Sequence, residues 1–219
     1  MFTFMPSPET LAILATLTGC PAPAPVVATV ELKIEKPVYI QTHSSADLAR
    51  MKKRETFMYK GREISQILGF TQGDVTYQYA SGYDVRKESG TACLGMKDIK
   101  LTITYSPKVY ISSDHNFLGR SFKHVAKHEQ KHYDADVHIL TKHLAELKAQ
   151  LAKGADAVGV RGPVIGPAIE TVQGDMRLKV IEAMQPLVKK IRNLRLKAHA
   201  AFDTDEAYTR DAKACASPL

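Results

Sequence analysis

The chain has no C-x-x-C pair; its three cysteines, Cys20, Cys93 and Cys215, stand far apart. A metal site built from thiolates is therefore not expected. It also has no apolar run long enough to cross a bilayer. Leu11-Ala-Ile-Leu-Ala-Thr-Leu17 is the length of a signal-peptide core, not of a membrane span. No internal repeat is evident, and no recognised nucleic-acid motif accompanies the basic residues. Residues 1–19 contain no Lys or Arg, and Glu9 is their only charge.

What is present is an ordinary globular composition, 44% hydrophobic and 24% charged over 219 residues, enough for one sizeable domain or for one domain plus an anchor. The formal net charge is +7. The cations are spread along helical faces (Lys123, Lys127, Lys131; Lys189, Lys190, Arg192), as expected for solvated surfaces. No nucleic-acid partner is expected. A basic adaptor on anionic lipid or nucleic acid remains a third reading, whose binding would fall steeply with salt.

The leader ends in Leu17-Thr18-Gly19-Cys20. Small residues before a Cys resemble the lipobox of bacterial lipoproteins, which implies export and a lipid anchor at Cys20. A basic n-region is the missing part. With Cys20 set aside for lipid, Cys93 and Cys215 are free to pair. Pro21-Ala-Pro-Ala-Pro25 reads as an extended tether to a single domain over 26–219.

Residues 28–35 alternate, with Val30, Leu32 and Ile34 on one face of a half-buried strand that Pro37 ends or edges. Ser45–Met51 reads as a short helix capped by Ser44 or Ser45. Residues 55–70 are ambiguous. Strands are expected over 74–80 and 99–105, with a turn at Ser81-Gly-Tyr-Asp84 and an extension at Tyr110-Ile111. The pattern then turns helical. One long helix is expected over 113–153, closed by Gly154, and a Gly/Pro-rich connection follows over 154–168. A second helix is expected over 170–209, kinked at Pro186. Strands first and helices afterwards give an α+β class, with a small mainly antiparallel sheet over 26–112 and two long helices packed on it.

The chemistry lies in His128-Glu129-Gln-Lys-His132. Residues four apart on a helix share a face, so both imidazoles can reach one Zn²⁺. Glu129 then stands beside the ion and can serve as general base to an attacking water. This H-E-x-x-H spacing is the zincin arrangement. Both histidines fall on the apolar stripe of the helix, with Phe122, Val125 and Ile139. Burying them without a partner is costly, and a metal removes that cost. A hydrogen-bonded His/Glu cluster between helices is the alternative.

A hydrolytic zinc site takes three protein ligands. Asp203 of the second helix is the first candidate for the third. His199, one turn before it, is next. His138 has the spacing of the longer H-E-x-x-H-x-x-G-x-x-H motif, but Ala135 stands where that motif turns at Gly. His124 and Asp136 share the ligand face a turn away, where they can orient a ring or a water. Tyr208 is a weaker candidate to donate to an oxyanion.

Three features recur together: Thr91-Ala-Cys93-Leu followed by Ile99-Lys-Leu-Thr-Ile, His-Glu-Gln-Lys-His, and a second helix ending in Ala-Ala-Phe202-Asp203. In these the chain resembles a bacterial family of uncharacterised secreted zinc-dependent proteases, classed as a domain of unknown function, over roughly residues 28–210. That family's second helix ends in Tyr-Asp and a Thr-x-His-Gly-like tail; here Phe202-Asp203 matches the pair, while Glu206 and Tyr208 stand where Thr and His would. The third ligand stays open on that account. The resemblance implies a zinc metallopeptidase of the cell envelope acting on a peptide or protein substrate. The alternative is a non-catalytic envelope protein with a structural zinc or a His/Glu cluster.

Overall fold

The computed structural model describes residues 20–55, 67–88, 90–114, 119–204, 206–207 and 210. The expectations for the leader, residues 56–66, Tyr208 and Cys215 fall outside these.

The class is α+β, built on β4 (Thr91–Ile111), a strand of 21 residues. β1 (Val27–Ile34), β2 (Val38–Ile40), β3 (Gly69–Glu88) and β5 (Arg161–Ile165) all pair with β4 in one five-stranded sheet. The expected mainly antiparallel sheet is corrected to a mixed one. β2 lies parallel to β4, with Val38 opposite Lys108 and Ile40 opposite Tyr110. β5 is antiparallel, with Ala92 opposite Val164. Pro37 separates β1 from β2, so the chain re-enters the sheet instead of turning back.

Alternation dictates β4, but in two phases. Ala92, Leu94 and Met96 are buried, then Ile99, Leu101, Ile103, Tyr105, Val109 and Ile111. The odd step between Met96 and Ile99 moves the buried set from even to odd positions, as one extra residue in a strand of period two must. In β1 the expected inner face is weak: Val30 and Leu32 are half-buried and Ile34 is exposed. The turn expected at Ser81–Asp84 is strand. An added Cβ at Gly82 would lie 2.6 Å from a carboxylate oxygen of Asp98, so glycine here serves close packing, not a turn.

The helices are α1 (Ser45–Glu55), α2 (Arg120–Lys142), α3 (Leu144–Val158) and α4 (Ile169–Phe202), with a 3₁₀ turn at Gly166–Ala168. α1 is capped reciprocally: Asp47 N–H donates to Ser44 Oγ, and Ser44 N–H to Asp47 Oδ2. The single helix expected over 113–153 is two. The His143 ring lies 2.8 Å from the Ile139 carbonyl through Nδ1, and the His143 N–H turns to the Leu140 carbonyl, which ends α2. Gly154 does not close α3 but sits within it, a Cβ there falling 3.3 Å from that of Ala183. Gly159, at φ +64°, takes the terminating position. α4 passes through Pro186 and stops at Phe202.

The chain forms two compact units, one from Met1–Glu31, Tyr77–Ile103 and Leu144–Lys189, the other from Leu32–Thr76, Thr104–His143 and Lys190–Leu219. In the first, Cys20 and Cys93 form a disulfide, Cα to Cα 5.6 Å. This corrects two expectations. The sulfur of Cys20, 3% exposed, is not available for a lipid anchor in this state, and Cys93 is not paired with Cys215. Nor is Pro21–Pro25 a tether leading away. It lines a cavity of about 400 Å³ with Asp84, Arg86 and Met96. In the second unit, Leu48, Ala49, Ile67, Phe70 and Tyr110 form one core cluster, and Val109, Ile111 and Val125 another. The latter seats α2 on β4.

Candidate metal centre

All of the site lies in the second unit. The buried residues of α2 are Val125, Glu129, His132, Asp136 and Leu140, steps of three and four that define one helical face. Three of the five are ionisable, in a position that apolar side chains usually fill. Each must find a partner.

Three side-chain atoms converge. His128 Nε2 lies 3.2 Å from His132 Nε2; Asp203 Oδ1 lies 3.3 Å from the first and 3.1 Å from the second. Zinc bonds of about 2.0–2.1 Å, spread tetrahedrally, would separate ligand atoms by about 3.3–3.4 Å. The observed triangle is that size within a few tenths of an ångström. Two imidazole nitrogens and one carboxylate oxygen are also a donor set zinc takes. The residues therefore fit the ion. Their side chains are 11%, 4% and 7% exposed for His128, His132 and Asp203. Without a cation, both rings can donate from Nε2 to Asp203 Oδ1, but the 3.2 Å contact between the two Nε2 atoms then sets one N–H against another.

Burial pushes the Asp203 carboxyl up. Hydrogen bonds from His128 and His132, then the Lys52 charge, outweigh it and hold the group well below the usual carboxylate range. Lys52, on α1, donates to Asp203 Oδ2 at 3.2 Å, leaving Oδ1 for the two rings. Phe202 packs edge-on against the His132 ring at 5.5 Å.

Glu129 is 3% exposed. One of its oxygens comes within 4.8 Å of donor atoms on both histidines, so it could itself be counted as a ligand. Asp203 is nearer, and Glu129 is held elsewhere: Thr71 Oγ1 lies 2.9 Å from its Oε2 and 3.2 Å from its carbonyl oxygen. Burial raises its pKa, against the charges of His132, His128 and Lys52 and the Thr71 hydrogen bond. Gly69 keeps this floor close. A Cβ there would meet the Tyr110 carbonyl at 2.8 Å and Glu129 Oε1 at 3.3 Å.

The other candidates lie elsewhere. His199 does not join the triangle; its Nε2 is 3.0 Å from Asp136 Oδ1, and its ring stands 4.6 Å from that of His132. His138 is exposed and His124 half-buried. Asp136, fully buried, orients no ligand ring. It accepts from Tyr105 Oη at 2.9 Å, from Arg195 at 2.8 Å on both oxygens, and from His199. Burial raises its pKa, but the Arg195 and His199 hydrogen bonds win and lower it to about 2. Burial, then the Asp136 charge, pushes the Tyr105 hydroxyl well up. His132 Nδ1 has no hydrogen-bond partner among the described residues.

Sequence reasoning missed Lys52, Thr71, Tyr105 and Arg195. Arg195 left a trace, since it precedes His199 and Asp203 at the same four-residue step. Lys52 left none, within a run of cations on a short helix. No protein-family model, curated protein or solved structure matches this chain.

Proposed function

We propose that this chain is a zinc-dependent peptidase of zincin-like design, exported to the bacterial cell envelope. The supporting observation is the triangle of His128 Nε2, His132 Nε2 and Asp203 Oδ1, with Glu129 beside it. His128, His132 and Asp203 would hold the zinc ion, which would supply Lewis acidity toward a carbonyl oxygen and a water. Glu129 takes the proton of the attacking water on its carboxylate and delivers it to the leaving amine. Thr71 holds one Glu129 oxygen and so fixes the direction of the other. Peptide suits this pairing of cation and adjacent carboxylate. The Cys20–Cys93 disulfide supports an oxidising compartment.

A second reading, a structural zinc in a non-catalytic envelope protein, is favoured by the low exposure of all three ligands. One experiment separates the two. Purified protein is assayed for metal content and for hydrolysis of an unstructured protein such as casein, beside His128→Ala and Glu129→Gln. The peptidase reading expects about one zinc per chain, lost in His128→Ala. In Glu129→Gln it expects zinc retained and activity down by about 10²–10⁴-fold. Zinc bound equally by wild type and Glu129→Gln, with hydrolysis by neither, would establish the structural reading. No zinc in any form would end both.

A further inference from the structure

Two rows of side chains face each other across the site, each with the four-residue step of one helical turn. α2 carries His128, His132 and Asp136; α4 and the residue after it carry Arg195, His199 and Asp203. The rows run antiparallel. Asp136 meets Arg195 and His199 at one end, and His132 and His128 meet Asp203 at the other.

The two ends differ in how firmly the backbone is held. Asp203 lies just beyond the last residue of α4, its N–H bonded to the His199 carbonyl at 3.1 Å. A helix end frays unless something outside the helix fixes it. The other end is fixed from several directions. Arg195 grips both oxygens of Asp136, and its Nη2 also donates to the Gly73 carbonyl at 2.7 Å. The guanidinium stands 5.4 Å above the Tyr105 ring, whose hydroxyl donates to the same carboxylate. An added Cβ at Gly73 would lie 2.6 Å from Asp136 Oδ2 and 2.7 Å from Arg195 Nη2, so the strand leaves the pair just enough room. His199, on the turn before Asp203, is tied to the same Asp136.

We propose that Asp136, Arg195 and His199 form a clamp that sets zinc affinity by holding the end of α4 against α2, so that Asp203 reaches the two histidines. These are positioning residues. None contributes an atom to the triangle. The inference rests on the metal-binding part of the function proposed above and is independent of whether the site hydrolyses peptides. Groups that orient metal ligands change affinity by about 10–100-fold when removed. For Arg195, which touches neither histidine ligand in the contacts described, the effect would pass through one ligand, Asp203; His199 also stands 4.6 Å from the His132 ring.

That route gives the test a signature that general loosening of the fold would not produce. Zinc affinity of the full chain is measured by competition with a chromogenic chelator for wild type, Arg195→Met, Asp203→Asn and the double variant. Folding is checked by circular dichroism with the metal removed. Arg195→Met is expected to weaken zinc binding about 10–100-fold. Asp203→Asn is expected to weaken it clearly in the wild type but by less than about threefold once Arg195 is gone, because Asp203 is then no longer delivered. His199→Gln runs through the same cycle. It leaves the Arg195–Asp136 pair in place and so carries the test if Arg195→Met does not fold. An Asp203→Asn effect of equal size in every background would overturn the clamp while leaving the metal site standing. A wild-type chain that takes up no zinc would overturn the metal reading and the clamp with it.

Discussion

At the residue scale, Asp136 shows how the site's electrostatics reach into stability. Its carboxyl is fully buried yet titrates at about 2, below the ordinary 3.8, because Arg195 and His199 outweigh the burial penalty. A folded-state pKa below the unfolded one means stability that is complete above about pH 4. It is lost as pH falls through about 2. The difference is worth about 2 kcal/mol. Denaturant unfolding of the metal-free protein at pH 5 and pH 2.5 is expected to show that loss, and Asp136→Asn should lack this component. Glu129 is the contrasting case on the same helical face. Burial outweighs the charges of His132, His128 and Lys52 and the Thr71 hydrogen bond, and its pKa rises. One acid held ionised and its neighbour inclined to take a proton are different states of the same side-chain type, set by surroundings.

At the element scale, the ends of helices carry most of what could not be read in advance. The H-E-x-x-H helix and the four-residue row ending at Asp203 were legible, because helical spacing is local and the residue types are unusual on a buried face. The break at His143 was not. It depends on a ring turning back to the Ile139 carbonyl, a choice that periodicity does not encode. Gly154 and Gly159 were also exchanged. Gly154 follows Lys153 and Gly159 follows Val158, both in a helical pattern, but only the packing of the first against Ala183 and the φ of +64° at the second show which one ends the helix. Since Gly159 has φ +64°, Gly159→Ala is expected to cost about 1 kcal/mol in thermal or denaturant unfolding. Its Cβ would meet nothing within 4 Å, so the cost would be conformational alone. In β3, alternation was legible over 74–80. The strand's passage through Ser81–Asp84 was hidden, because turn-forming residues there serve contacts with β4, such as Gly82 beside Asp98.

At the scale of the whole molecule, partners distant in sequence were the least legible. Sheet order, Lys52 on Asp203 and the choice of Cys20 for Cys93 all depend on where separate segments meet. The disulfide closes a span of 73 residues. Restricting the unfolded chain by a loop of that length is worth roughly 4 kcal/mol. Cys93→Ser is expected to lower unfolding stability by about 2–5 kcal/mol. A non-reducing peptide map of the wild type should join the peptides holding Cys20 and Cys93. Finding Cys20 acylated instead would restore the lipid anchor that the structure replaces.

The central position of β4 has a bearing on how the protein comes to be made. β1 and β2 leave the ribosome some sixty residues before the strand they hydrogen-bond to, and β5 comes fifty residues after it. The sheet cannot begin to close until β4 has been synthesised, and it is not finished until Ile165 has. Pairings this remote in sequence form slowly. Under the export proposed above, a nascent chain that cannot assemble early would still be threadable through a translocation pore.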